Sequence, residues 1–191
     1  MRKYVPSYSG TLRSHGLSVP RCISECSGIR IFGKRIKSIA FSTDAAIIKN
    51  INADAIIAVY PFTPQASISQ AVINVADVPV FVGVGGGYTN GSRSVRLAMQ
   101  AEHQGDYGVV VNAPTPNEVI AEIKSVVDIP VIATVVSDRS DIKGRIEAGT
   151  DIFNVSGAAE TANIVRHIRE QYPHAAIIAT GGPTEESILE T

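Results

Sequence analysis

The sequence has no tryptophan, only two cysteines and no apolar run near the ~18 to 20 residues a membrane-spanning helix requires. No membrane partner is therefore expected. Two cysteines cannot staple a small secreted scaffold, and reduced thiols suit the cytoplasm. The start, MRKYVPSYSG, carries charge without the apolar stretch of a secretory signal, which also points to a cytoplasmic protein. Cys22 and Cys26 flank Glu25, but Ser27 and Gly28 follow where an iron–sulfur or zinc motif needs more ligands, so no metal site is expected there. No tract is low in complexity, and 45% of residues are hydrophobic, which excludes a disordered chain.

What the sequence does have is a two-phase beat. Apolar strands announced by Asp (Asp54 before AIIAVYP, Asp106 before YGVVVNAP, Asp151 before IFNVSGA) alternate with strands of a second kind. The latter follow Pro79 (VFVGVGGG), Pro130 (VIATVVSD) and Pro173-His174 (AAIIATGGP). Strands are predicted over 38–43, 55–60, 79–84, 108–112, 130–135, 152–156 and 175–180. Each is short, rich in Val and Ile, and apolar on both faces, as in a sheet covered on both sides.

The intervening stretches have helical spacing. Ile68, Ala71, Val72 and Val75 share one side, as do Val119, Ile120, Ile123 and Val127, and Ile164, Val165 and Ile168. Repeated strand–helix alternation demands a parallel sheet with right-handed crossovers. No GxGxxG opens a helix after the first strand, and two evenly alternating strand types match the layered interior of a barrel. The expected fold is a parallel (β/α)8-type TIM barrel over 38–191, with seven strands readable. The eighth is absent or supplied by the N-terminal arm: after TEESILET the beat calls for another Asp-type strand, and Thr191 is reached instead. Further chain, the IRIFG segment or a partner copy would each close the wall, and the last fits a homo-oligomer.

Residues 1–37 hold eight Lys or Arg against Glu25, while 38–191 carry a net charge of −8. This basic arm is expected to pack on the acidic barrel domain. It lacks the interleaved aromatics of a nucleic-acid surface, so nucleic acid is not the expected partner.

Working residues of such a barrel lie at the C-terminal ends of strands. Thr180-Gly181-Gly182-Pro183-Thr184, leading straight into a helix, reads as a phosphate cradle, and Thr184 also reads as a helix cap. Gly85-Gly86-Gly87 reads as a loop pressed by a ligand, with Arg93 in reach of an anion. Asn112, Asn154 and Ser156 end buried strands, where a polar group needs partners. Asp44 and Asp138 are the acid–base candidates, and each also reads as capping the helix behind it. With Asn112 or Asn154 the two carboxylates would suit Mg2+.

This pattern, strand rhythm plus Thr180-Gly181-Gly182, resembles the ribulose-phosphate-binding group of (β/α) barrels, where the corresponding glycine pair holds a substrate phosphate. The resemblance implies an enzyme of lyase, isomerase or synthase type acting on a small phosphorylated metabolite. Aldolases of that group use a Lys on the sixth strand. Here that strand is Ile152-Phe153-Asn154-Val155-Ser156, and Lys49, Lys124 and Lys143 fall in helices, so Schiff-base chemistry is not expected. No His is expected on the rim. The alternatives are an FMN-binding oxidoreductase barrel, a small-molecule hydrolase, and a regulatory barrel whose basic arm binds RNA.

Overall fold

The computed structural model describes residues 3–12 and 16–191. Among them, seven parallel strands form one sheet in sequential order: β3 (Ile39–Phe41), β4 (Ala55–Ala58), β5 (Val80–Gly85), β6 (Gly108–Val111), β7 (Val131–Val135), β8 (Ile152–Val155) and β9 (Ala176–Ala179). The helices α1 (Ala45–Asn50), α2 (Ala66–Val75), α3 (Ser92–Gln104), α4 (Asn117–Val126), α5 (Ile142–Glu147) and α6 (Thr161–Gln171) make the crossovers, and α7 (Glu185–Glu190) follows β9. No helix among the described residues is long and apolar enough to cross a membrane.

Strand alternation builds an inner core and an outer layer, the outer one continuing as a further cluster of Val135, Phe153 and Val155 against Ile142, Ile164 and Ile168. Ala55, Ile57, Phe81, Val110, Ile132, Ile152 and Ile178 point to the inside of the curled sheet. Ile56, Val80, Val82, Val109, Val111 and Val131 point outward against Val72, Ala98, Ile120 and Ile123 of the helices. Every residue of β4, β6, β7 and β8 is buried, whereas β3 and β9 are half-exposed because each has a neighbour on one side only. Between those two edges opens a groove of about 1300 Å³.

The IRIFG segment does not fill that gap. It supplies β1 (Ile29–Ile31) and a turn into β2 (Lys34–Ile36), and the two strands pair antiparallel in a sheet separate from the seven-stranded one. Both turn residues, Phe32 and Gly33, have positive φ, the mark of a type I′ turn. A bulky residue is strained there, and Phe32 is held by an edge-on contact with Tyr107 at 5.6 Å. Ile31 and Ile36 join the inner core, so the hairpin floors the barrel at the N-terminal ends of the strands.

The Asp beat has a structural cause. Each such strand lies beside one whose first amide needs an acceptor. Asp54 Oδ2 accepts from the amides of Lys37 (2.8 Å) and Ser38 (3.1 Å). Asp151 Oδ2 accepts from Val131 N at 2.8 Å and from Lys124 Nζ at 2.7 Å. Asp106 breaks the rule. Phe81 pairs with Gly108, which sets Asp106 opposite Pro79, a residue with no N–H to give. Both Asp106 carboxyl oxygens are buried without a partner among the described residues, and burial pushes the group up to about 7.

Candidate functional site at the barrel mouth

At the C-terminal ends of the strands the same two-residue alternation turns Val59, Gly83, Asn112, Thr134, Asn154 and Thr180 toward the interior. The β4–β5 part of this ring is apolar and the β6–β9 part polar. Asn154 is 4% exposed and Thr134 8%. Asn154 Nδ2 donates to Thr134 Oγ1 at 3.4 Å, and Asn154 Oδ1 has no partner among the described residues. A buried acceptor left unpaired costs about 1–3 kcal/mol, so a donor arriving from outside would be favoured here.

Beside this ring, a pocket of about 120 Å³ lies between the β4–α2 loop (59–64), the glycine loop (85–89) and Asn112. The glycines of that loop have structural work of their own. A Cβ on Gly85 would land on Ser94 Oγ, and one on Gly86 would sit 2.5 Å from Asn112 Cβ. Asn112 and the loop are further joined by Asn112 N to Gly85 O (3.0 Å) and Asn112 Nδ2 to Gly86 O (3.4 Å). Gly87 differs: open space surrounds its Cα, and its φ of 146° is what calls for glycine. Arg93, in the first turn of α3, is exposed and has no hydrogen bond or ion pair among the described residues.

The loop after β9 lies on the other side of the mouth, bordering the groove between β3 and β9. The amides of Gly181 and Gly182 donate to no other group among the described residues. Cβ atoms at these positions would meet Ile188 and Ser187, so glycine also lets α7 approach. Thr184 is spent on the capping box of α7, its Oγ1 accepting from Ser187 N at 3.3 Å. The Glu186 carboxyl, fully exposed, is lowered by its own backbone amide and by the Thr184 hydroxyl. Ser156 is half-buried, its amide bonded to Val135 O at 2.8 Å.

Asp44 and Asp138 are both exposed. Asp44 Oδ1 caps α1, accepting from Ala46 N (2.8 Å) and Ile47 N (3.0 Å). Asp138 caps nothing; it accepts from Ser137 Oγ at 3.2 Å, and α5 is capped instead by Asp141. Among the described residues, no three His, Cys, Asp or Glu side chains come together as a cluster that could hold a metal ion.

Arg145 escapes the sequence reading. It is 7% exposed on α5, and its Nη2 donates to Ala113 O at 2.5 Å, fastening the loop that follows Asn112. Burial lowers its pKa and the nearby Asp141 opposes that shift. An arginine on a short helix looks solvated in sequence; only tertiary packing shows otherwise.

No protein-family model matches the sequence, and no curated protein matches it. Solved structures do resemble the fold. A phosphonopyruvate hydrolase complexed with oxalate and Mg2+ superposes with a TM-score of 0.59 at 13% identity, over 75% of this chain and 67% of that one. A 2,3-dimethylmalate lyase, a member of the PEP mutase/isocitrate lyase superfamily, gives 0.57 at 14% identity, over 80% and 70%. A mandelate oxidase gives 0.58 at 14% identity, and the chain spans 61% of its length. At such identities the likeness shows the fold alone: a TIM-barrel-type (β/α) sheet lacking one strand among the described residues.

Proposed function

We propose that the protein is an enzyme of lyase or isomerase type that binds a small phosphorylated metabolite across the barrel mouth. The observation that carries this reading is Asn154: an amide buried at the centre of the mouth with its carbonyl oxygen unpaired. An apolar side chain there would cost the fold less, so the amide is better explained by a ligand than by packing. The free amides of Gly181 and Gly182 would hold the phosphate, as two N–H donors need no charge to cradle an anion. Asn154, Thr134 and Asn112 would orient the body of the ligand. Asp44 and Asp138 are the carboxylates of the rim available for proton transfer, and Arg93 is a free cation beside the glycine loop. The resemblance to barrels named for phosphonopyruvate and dimethylmalate supports a small anionic substrate without naming it.

Calorimetric titration with inorganic phosphate tests the reading, using the wild type and a Gly181→Ala/Gly182→Ala double variant. Saturable heat that the double variant loses is expected. Equal heats in the two proteins would remove the loop from the phosphate site, and no heat in either would remove the phosphate.

A further inference from the structure

The β4–β6 side of the mouth specifies more of the ligand than a phosphate does. No charged side chain lines the pocket there; Val59, Pro61, Phe62 and Pro64 supply its apolar walls, and Thr63, Thr89, Asn112 and the tyrosines its uncharged polar groups. An anion would meet no counter-charge in it. Phe62 is 75% exposed and Tyr88 wholly exposed. Single aromatic rings on a surface need no explanation, but two that converge on one pocket at the working end of a barrel do.

Both rings ride on fastened loops. Tyr60 Oη accepts from Gln65 N at 2.8 Å and ties the loop bearing Phe62. The Gly86–Asn112 packing and the Gly86 N to Thr89 O bond (2.9 Å) tie the loop bearing Tyr88. The backbone that carries each ring is thus fixed before any ligand arrives, and only the side-chain rotamers remain to be ordered on binding. The volume, about 120 Å³, is close to the roughly 150 Å³ of an apolar cavity that accepts benzene.

We propose that this pocket takes an uncharged aromatic or heteroaromatic ring carried by the substrate, stacked against Phe62 and Tyr88. The proposal rests on reading the mouth as a substrate site and adds the substrate class: a ring-bearing phosphorylated metabolite, its ring on the β4–β6 side and its phosphate on the β9 side.

Saturation-transfer NMR with benzamide as the ring probe tests this, with cyclohexanecarboxamide as the non-planar control. Inorganic phosphate is followed separately by phosphorus line broadening. Saturable benzamide binding is expected, weakened about 3- to 10-fold by either Phe62→Ala or Tyr88→Ala, with the cyclohexane compound weaker than benzamide. Both residues are exposed, so truncation leaves the fold intact, and phosphate broadening should not change in either variant. Absence of benzamide saturation, or saturation equal in wild type and a Phe62→Ala/Tyr88→Ala double variant, overturns the ring pocket; phosphate binding in the same samples would leave the mouth reading standing. Benzamide binding without phosphate binding upholds the ring pocket and removes the phosphate from the proposed function.

Discussion

Of the buried polar groups without a partner among the described residues, Asp106 at the floor of this barrel and Asn154 at its mouth mean different things. At the floor, Asp106 is stranded by register: the residue opposite it is Pro79, and the β1–β2 hairpin seals the end with Ile31 and Ile36. At the mouth, Asn154 has a hydroxyl neighbour in Thr134 and lies at the C-terminal ends of the strands, where a barrel of this kind does its work. An orphan in a sealed end is a strain carried by the fold. An orphan in an open end is an invitation to a ligand. The end of the barrel at which each lies, not the degree of burial, separates the two, which are 3% and 4% exposed.

Four substitutions would break or sharpen that contrast. The largest effect is expected from Ile36→Ala, which unplugs the floor and should cost about 2–5 kcal/mol in chemical denaturation. It should leave ligand binding at the mouth in place at temperatures where the variant is folded. If binding fails as well, the two ends are not separable.

Asp106→Asn comes next. Its folded-state carboxyl titrates near 7, above the ordinary value of 3.8, so the folded state holds its proton more tightly than the unfolded chain. Stability is therefore full below about pH 4 and is lost as pH rises through about 7, by on the order of 4 kcal/mol. The Asn variant should be more stable than wild type at pH 8, similar at pH 4, and flat between. A wild-type stability that climbs with pH over that window would contradict the assignment.

Gly86→Ala should destabilise by about 1–3 kcal/mol, because its Cβ would be driven into Asn112. Thermal unfolding reads this directly, and a neutral result would return the glycine to the role of ligand contact. The smallest effect is expected from Asn154→Leu. Leucine removes the unpaired carbonyl oxygen but also takes the partner from Thr134 Oγ1, so stability should change by less than about 1 kcal/mol in either direction while ligand binding is lost. A variant destabilised by more than that would mean that Asn154 serves packing after all.

The seven strands are legible in the sequence to within a residue or two, because runs such as Ala55–Ala58 and Val131–Val135 are apolar on both faces and can be little else. The Asp beat is legible too, but its reason is not: acceptance of the neighbouring strand's first amide by Asp54 and Asp151 depends on register. The same register leaves Asp106 alone, and no local pattern marks it. The glycine loop reads as ligand-shaped, yet Gly86 packs on Asn112, 26 residues on, a contact set by pairing of β5 with β6. Asp138 and Asp141 stand three residues apart, and only the helix start decides which one caps. The hairpin is half-legible: Gly33 marks a turn, but its docking under the barrel rests on Ile31 and Ile36 meeting strands far along the chain.

The contrast between the two ends is tested most directly by amide and side-chain proton–nitrogen shifts on titration with inorganic phosphate at pH 7. The account predicts saturable shifts at the Gly181 and Gly182 amides and at the Asn154 side chain, with Asp106 and Tyr107 unmoved. Shifts concentrated at the floor, or none at Gly181, Gly182 and Asn154, would contradict it.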